Sequence, residues 1–211
     1  MRPGQALVPG QLRGDRHPNT SHIGVTALLP EGGPGSWRLF WQTGYVTTPS
    51  PLLVHDARVA LDYGQFSLCG SYGRSGDYMT HLEDALGGVG IAGDDYGVVV
   101  CSPHQNNFEM PFRVEVWDRR PPDDRAEWEE IFRCGLEVDE GGLRYQSPTL
   151  AEIVFSVPEG SYSLLISGRG FVNRGWPGST TPGDVWRVQM WPSIDRPVPS
   201  RIKIWHLPAL D

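Results

Sequence analysis

The chain has 211 residues, a formal net charge of −7 and 39% hydrophobic residues, which suits a globular protein with a core of its own. The negative charge argues against direct nucleic-acid binding, which needs a basic surface. Three cysteines spaced over tens of residues do not resemble a secreted disulfide framework, and no leader or membrane-spanning apolar run is seen. We therefore expect a cytoplasmic protein that does not enter a membrane.

The N-terminal quarter of the chain differs in pattern from the rest. Residues 1–20 have little apolar patterning and predict a flexible tail. Residues 21–50 form an N-terminal extension, in which two alternating segments flank the turn-rich residues 30–35. That arrangement favours a hairpin.

A series of short alternating segments predicts a sandwich domain over residues 51–205, with a tail at 206–211. The chain contains 26 glycines and 19 prolines, which interrupt helices and suit short strands joined by turns. The alternating pattern changes parity at Gly64, which indicates a β-bulge. Further strands are predicted at 97–101, 112–116, 132–138, 143–145, 153–157, 162–166, 186–190 and 202–204.

Turn residues predict how some of these strands are joined. The glycine-bearing turn at 139–142 predicts one hairpin, and the Pro-Glu-Gly turn at 158–160 predicts another. A short helix is expected to start at Thr80, which has capping-box spacing to Glu83, and to stop at Gly87 and Gly88. A turn or two of helix is also predicted after Asp123. The expected fold is all-β, an antiparallel two-sheet sandwich with one or two short helices.

The sequence contains fragments of motifs that usually mark enzymes, but none of them has the neighbouring elements or the number of ligands that its chemistry requires. Residues 88–93 spell G-x-G-x-x-G, but a helix is predicted before them and a strand after, the reverse of a dinucleotide site, so we interpret them as a loop. Cys101 and His104 form a single C-x-x-H pair, and zinc needs three or four ligands. Cys134 is in phase with core positions. No cofactor and no metal ion are predicted, and we expect the protein not to be an enzyme.

The acidic residues are concentrated in one part of the sequence. Residues 109–140 contain eleven acids and five arginines, which leaves six of the chain's seven net negative charges there. Such a run is often a solvated surface with local ion pairs. The functional alternative is a negative face that attracts a basic protein partner. The residues predicted to contact this partner are Asp118, Asp123, Asp124, Glu127, Glu129 and Glu130.

Two of the eight tryptophans lead to different predictions. Trp186 lies within a strand pattern and is expected to pack. Trp176 lies in the long loop 172–184, which is rich in Gly, Pro, Ser and Thr, and it is the remaining predicted partner-binding residue. It also supports the alternative function, a ligand-binding β-sandwich module for carbohydrate or peptide that uses loop aromatics.

Three segments carry a recognisable series of strand and turn motifs, namely Ala57–Gly70, Met110–Val114 and Ile153–Leu164. In their order and approximate separations they resemble the ComJ family of competence-associated nuclease inhibitors, and the resemblance covers roughly residues 57–192. It implies a β-rich, acidic, non-catalytic protein that binds a nuclease. The prediction is an inhibitor or immunity protein that blocks a nuclease or nuclease toxin through an acidic face. Residues 1–50, the loop 172–184 and the chain after Pro192 depart from the family.

Overall fold

The computed structural model divides the chain into two compact units, Met1–Pro49 and Ser50–Asp211. In the first unit, β1 (Thr20–Pro30) pairs antiparallel with β2 (Trp37–Thr47) along its whole length. Only the backbone of these two strands is described. The residues that the structure describes are 20–30, 37–47, 49–71, 73–103, 109–139, 142–171 and 183–206.

The second unit is built from two β-sheets, which confirms the all-β sandwich. The six-stranded sheet has the order β13-β8-β11-β12-β7-β3, and the five-stranded sheet has the order β10-β9-β4-β6-β5. Neighbouring strands are antiparallel except β12 and β7, which are parallel. The strands are β3 (Leu53–Val59), β4 (Gln65–Cys69), β5 (Ile91–Gly93), β6 (Gly97–Cys101), β7 (Met110–Val116), β8 (Glu130–Val138), β9 (Leu143–Gln146), β10 (Ile153–Phe155), β11 (Gly160–Arg169), β12 (Val185–Pro192) and β13 (Ser200–Lys203).

Aromatic rings contributed by both sheets fill the centre of the core. Phe66 of the five-stranded sheet lies 5.2 Å from Trp186 and 5.9 Å from Phe112 of the six-stranded sheet, measured between ring centroids. Tyr145 stacks on Phe66 at 5.3 Å. All four side chains are almost fully buried, and Cys134 is buried too, as predicted for it and for Trp186. Burying an aromatic side chain of this kind stabilises the fold by roughly 1.5–3 kcal/mol.

The change of parity at Gly64 marks a turn, so the predicted β-bulge is wrong. Tyr63 and Gly64 both have positive φ, 54° and 69°, and Asp62 pairs with Gln65 across them. The chain leaves the six-stranded sheet at β3 and enters the five-stranded sheet at β4. Because the sheets face each other across the core, apolar residues change parity when the chain crosses between them.

The two predicted hairpins are wrong for a related reason. β8 pairs with β11 and β13, whereas β9 lies in the other sheet between β4 and β10. β10 and β11 are likewise in different sheets. Each of these two turns therefore carries the chain from one sheet to the other, across the core. The alternating pattern does not reveal the crossing, because both sheets offer an apolar surface to an alternating strand. Gly142 has a φ of +83°, and a Cβ there would lie 2.2 Å from the carbonyl oxygen of Phe155.

The helix α1 (Tyr78–Gly87) ends where predicted but begins earlier. Its N-cap is Asp77, whose carboxylate accepts a hydrogen bond of 3.0 Å from the amide of Thr80, so the predicted cap at Thr80 is wrong. Residues 88–90 form part of the predicted loop, whereas residues 91–93 of the same motif form β5, so the loop is shorter than predicted. A single 3₁₀ turn, Arg125–Glu127, follows Asp124. Within the described part of the chain, no helix is long and apolar enough to cross a bilayer.

Candidate partner-binding surface

The predicted acidic residues lie on a segment that contacts the outer face of the six-stranded sheet. We define the acidic segment as residues 118–130. Trp117, which immediately precedes the segment, and Trp128, near its end, pack with Ile131, Leu165 and Trp191 in an apolar cluster separate from the main core. Leu165 and Trp191 lie on neighbouring strands, and their side chains point away from the core because side chains alternate along a strand. The segment is therefore attached to the sheet by a small hydrophobic cluster of its own.

Two arginines hold Trp128 in place. The guanidinium groups of Arg187 and Arg169 lie 4.4 Å and 4.8 Å from the centroid of the Trp128 ring, within the range of a cation–π contact. Arg187 also donates two hydrogen bonds to Asp124, of 2.6 Å and 2.8 Å. This pairing lowers the pKa of the Asp124 carboxyl group, and burial opposes the shift only in part. Asp124 thus fixes the segment to β12.

Glu129 and Glu130 also hold the fold together. The carboxylate of Glu129 accepts hydrogen bonds from the backbone amides of Gly170 and Phe171, at 2.7 Å and 3.2 Å. Glu130 is fully buried, forms an ion pair of 2.7 Å with Arg201, and accepts a hydrogen bond from the amide of Trp205. Burial raises the pKa of Glu130 above its ordinary value. The carboxylate of Glu130 is therefore enclosed in the fold, and one oxygen of the half-buried Glu129 is occupied by backbone amides.

Lys203, the single lysine of the chain, completes the attachment. Its ammonium group donates hydrogen bonds to the backbone carbonyl oxygens of Arg125, at 3.2 Å, and of Trp128. The backbone of the acidic segment is therefore held from β13 as well as from β12. The side chains that the segment carries therefore start from a backbone with little conformational freedom.

Three of the predicted acids remain exposed: Asp118, Asp123 and Glu127. Asp118 lies 3.8 Å from the guanidinium group of Arg119, and both side chains are more than half exposed. Asp123 accepts two hydrogen bonds from the guanidinium group of Arg125 and one from its backbone amide, which hold the pKa of Asp123 well below the usual range. Among the described residues, the carboxylate of Glu127 has no ion pair. Of the three exposed carboxylates, that of Glu127 is therefore the least compensated by neighbouring positive charge.

Some sequence-predicted features lie outside the described residues. Trp176 and residues 172–182 of its loop are among them, so the binding role of Trp176 stays a prediction. Residues 1–19 and 207–211 of the predicted tails lie outside as well, and so does His104, the second member of the Cys101 pair. Within the described residues, no three His, Cys, Asp or Glu side chains are grouped so that they could hold a metal ion.

Sequence reasoning missed the arginines that position the acidic segment. Arg187 is the informative case, because it interrupts an otherwise largely apolar strand, Val185–Pro192, in which every neighbour from Trp186 to Trp191 is buried. A charged residue in such a strand needs a partner. That signal was readable in the sequence, but it does not say that the partner is Asp124, 63 positions away.

A cleft lies on the outer face of the five-stranded sheet, away from the acidic segment. This cleft, of about 320 Å³, is lined by Cys69 and His81 among others. His81 lies 3.7 Å from Asp94, an arrangement that invites comparison with a thiol–histidine–carboxylate set. However, burial raises the pKa of the Cys69 thiol, which donates a hydrogen bond to the carbonyl oxygen of Ser71. A nucleophilic cysteine needs its pKa lowered, so this geometry does not favour thiol catalysis.

Comparison with known proteins finds likeness at the level of the fold. No family model matches the chain, and no curated protein matches its sequence. One similar solved structure is ComJ from Bacillus subtilis, described as an inhibitor of the DNA degrading activity of NucA, with 16% identity, a TM-score of 0.48, and coverage of 66% of this chain and 96% of that one. Another, named crocagin biosynthetic gene J, has 14% identity, a TM-score of 0.42, and coverage of 66% and 97%.

Proposed function

We propose that the chain is a non-catalytic binding protein, an inhibitor or immunity protein that blocks a nuclease or nuclease toxin in the cytoplasm. The partner would contact the exposed part of the acidic segment, namely Asp118, Asp123 and Glu127. The three motif segments within residues 57–192 that resemble the ComJ family support the partner class. The geometry of the acidic segment supports the choice of these three exposed carboxylates as the contact surface.

The observation that carries the proposal is the fixed conformation of the acidic segment. Asp124, Trp128 and Glu129 attach it to the six-stranded sheet through buried or half-buried contacts. The exposed carboxylates between these anchors are therefore held in place before a partner arrives. A preorganised surface loses less conformational entropy on binding than a flexible one.

Electrostatics supplies a reason for a nuclease as the partner. A nuclease active site carries positive charge that attracts phosphate groups, so carboxylates presented at fixed positions can occupy it and exclude DNA. Glu127 can contact such a partner directly. Asp118 can exchange its pair with Arg119 for one with the partner, because an exposed ion pair of this kind contributes little.

The direct test is an inhibition assay with the purified full chain. NucA and a nuclease-containing extract of the native host serve as the enzymes, and cleavage of a fluorescent DNA duplex is the readout. We expect the chain to slow at least one of these activities at stoichiometric concentration. The inhibition should weaken as sodium chloride rises from about 0.05 M to 0.3 M, because salt screens exposed charges.

A nonspecific acidic protein of similar charge serves as the control in this assay. If the chain in large excess leaves both activities unchanged, the proposal fails. If the control protein inhibits equally well, the effect is one of bulk charge and the proposed surface has no part in it.

A further inference from the structure

A second feature of the acidic segment is a cavity between it and the six-stranded sheet. The cavity has a volume of about 270 Å³. Arg120 and Arg125 line it from the segment, and Arg133 lines it from β8. Its floor is the outer face of the sheet at β8, β11 and β12, and residues 193–195 form another wall. Together with Ile202 of β13, four strands, the acidic segment and one loop therefore build a single concave site.

Three guanidinium groups in one cavity repel one another unless negative charge is supplied. Arg125 has a counter-charge, because its guanidinium group donates two hydrogen bonds to Asp123. Among the described residues, Arg120 and Arg133 have no hydrogen bond or ion pair of their own. Asp195 also lines the cavity, and Asp123, which pairs with Arg125, interacts electrostatically with Arg120 as well, so three guanidinium groups are matched by only two carboxylates. The cavity as it stands is short of negative charge.

The remaining walls are fixed and partly apolar. The hydroxyl of Ser193 donates a hydrogen bond of 2.8 Å to the carbonyl oxygen of Asp195, and the amide of Ser193 donates one of 3.0 Å to Ser161. Leu165 and Trp191, both buried, and the half-exposed Ile202 give the cavity an apolar side. Such a site suits a ligand that has a charged end and an apolar end.

We propose that this cavity binds a small organic phosphate or sulfate ester. Its oxyanion would lie between Arg120, Arg125 and Arg133, and its organic part against Leu165, Trp191 and Ile202. The planar guanidinium forks of Arg120 and Arg133 can donate paired hydrogen bonds to a tetrahedral oxyanion, whereas the Nε and Nη2 edge of Arg125 is bonded to Asp123, so Arg125 would contribute its remaining nitrogen and its charge. Three arginines approaching from two elements suit the three peripheral oxygens of a phosphate better than the two of a carboxylate. The cavity's volume restricts the ligand to a small molecule.

The cavity proposal goes beyond the proposed function and does not depend on it. The site uses the arginines of the acidic segment, whereas a nuclease would contact its exposed carboxylates. Loss of ester binding can therefore be measured without loss of nuclease inhibition, and the reverse.

The test is calorimetric titration of the full chain at constant ionic strength. Phenyl phosphate and phenyl sulfate are the probes, with inorganic phosphate and benzoate as comparisons. We expect saturable 1:1 binding of at least one ester, tighter than that of either comparison. Arg120→Gln and Arg133→Gln should each weaken the binding by about tenfold or more, because each removes a charge-assisted hydrogen bond.

Arg119→Gln is the matched control, since Arg119 is the exposed neighbour of Arg120 and does not line the cavity. It should change the affinity by less than about twofold. Equal weakening by R119Q and R120Q would show general charge attraction and overturn the site. Absence of saturable binding would overturn it as well. Equal affinity for inorganic phosphate would overturn the role of the apolar side, and equal affinity for benzoate would overturn the preference for a tetrahedral oxyanion.

Discussion

The two faces of the six-stranded sheet are built on different principles. The inner face is apolar and close-packed, and side chains such as Phe112, Val188 and Leu164 are buried without polar contacts. The outer face combines tryptophans with paired charges, as Arg187, Asp124 and Trp128 do. The inner face supplies most of the stability, whereas the outer face fixes the position of one segment and the groups that it carries.

The largest expected effect concerns the core, where Phe66 of the five-stranded sheet packs against the inner face of the six-stranded sheet. Phe66→Ala should destabilise the protein by about 3–5 kcal/mol, because Phe66 is fully buried and contacts three other aromatic rings. Equilibrium unfolding in urea measures this. Leu86→Ala is the control, since Leu86 is 68% exposed and its loss should cost less than about 0.5 kcal/mol. Similar losses for the two variants would contradict the assignment of the core.

A smaller effect is expected on the outer face. Asp124→Asn should reduce the free energy of unfolding by about 1–2 kcal/mol, because it weakens two charge-assisted hydrogen bonds from Arg187. Urea unfolding at pH 7 provides the value. Asp118→Asn, in the same segment but more than half exposed, should stay within about 0.5 kcal/mol of the parent chain. If both substitutions are neutral, Asp124 does not anchor the segment.

The pH dependence of the unfolding free energy is a second test of the Asp124–Arg187 pair. The pKa of Asp124 is lowered in the folded protein, so its contribution to stability is complete above the unfolded pKa of about 3.9 and is lost as the pH falls through the folded pKa. The difference in unfolding free energy between the parent chain and Asp124→Asn should therefore shrink below about pH 4. Unfolding curves from pH 7 to pH 3 test this. A difference that stays constant over that range would mean that the carboxylate charge plays no part.

The same two faces show how far the sequence can predict the structure. Period-2 alternation identifies strands such as β7 and β12, and it identifies core residues such as Trp186, because burial on one face imposes that period. It cannot say which sheet a strand joins, since both sheets offer an apolar surface. The turn at Tyr63-Gly64 and the two supposed hairpins were misassigned for that reason.

The candidate site was less predictable than the fold. Charge counting located the acidic segment, because negative charge is concentrated in the sequence. It could not separate Asp124, Glu129 and Glu130, which hold the fold, from Asp118 and Glu127, which face the solvent. That distinction depends on partners such as Arg187, which are distant in the sequence. The cavity with Arg133 could not be predicted at all, because four strands, the acidic segment and a loop meet there.

The central claim is that the exposed carboxylates of the acidic segment contact a nuclease. The most direct measurement is the association rate of the inhibited nuclease with the double variant D118K/E127K, at low salt, beside the control E83K/D84K. The control makes the same change of charge at exposed positions on α1. We expect D118K/E127K to slow association by about tenfold or more and the control to have a much smaller effect, with both variants as stable as the parent chain. Equal slowing by the two variants, or no slowing by either, would contradict the account.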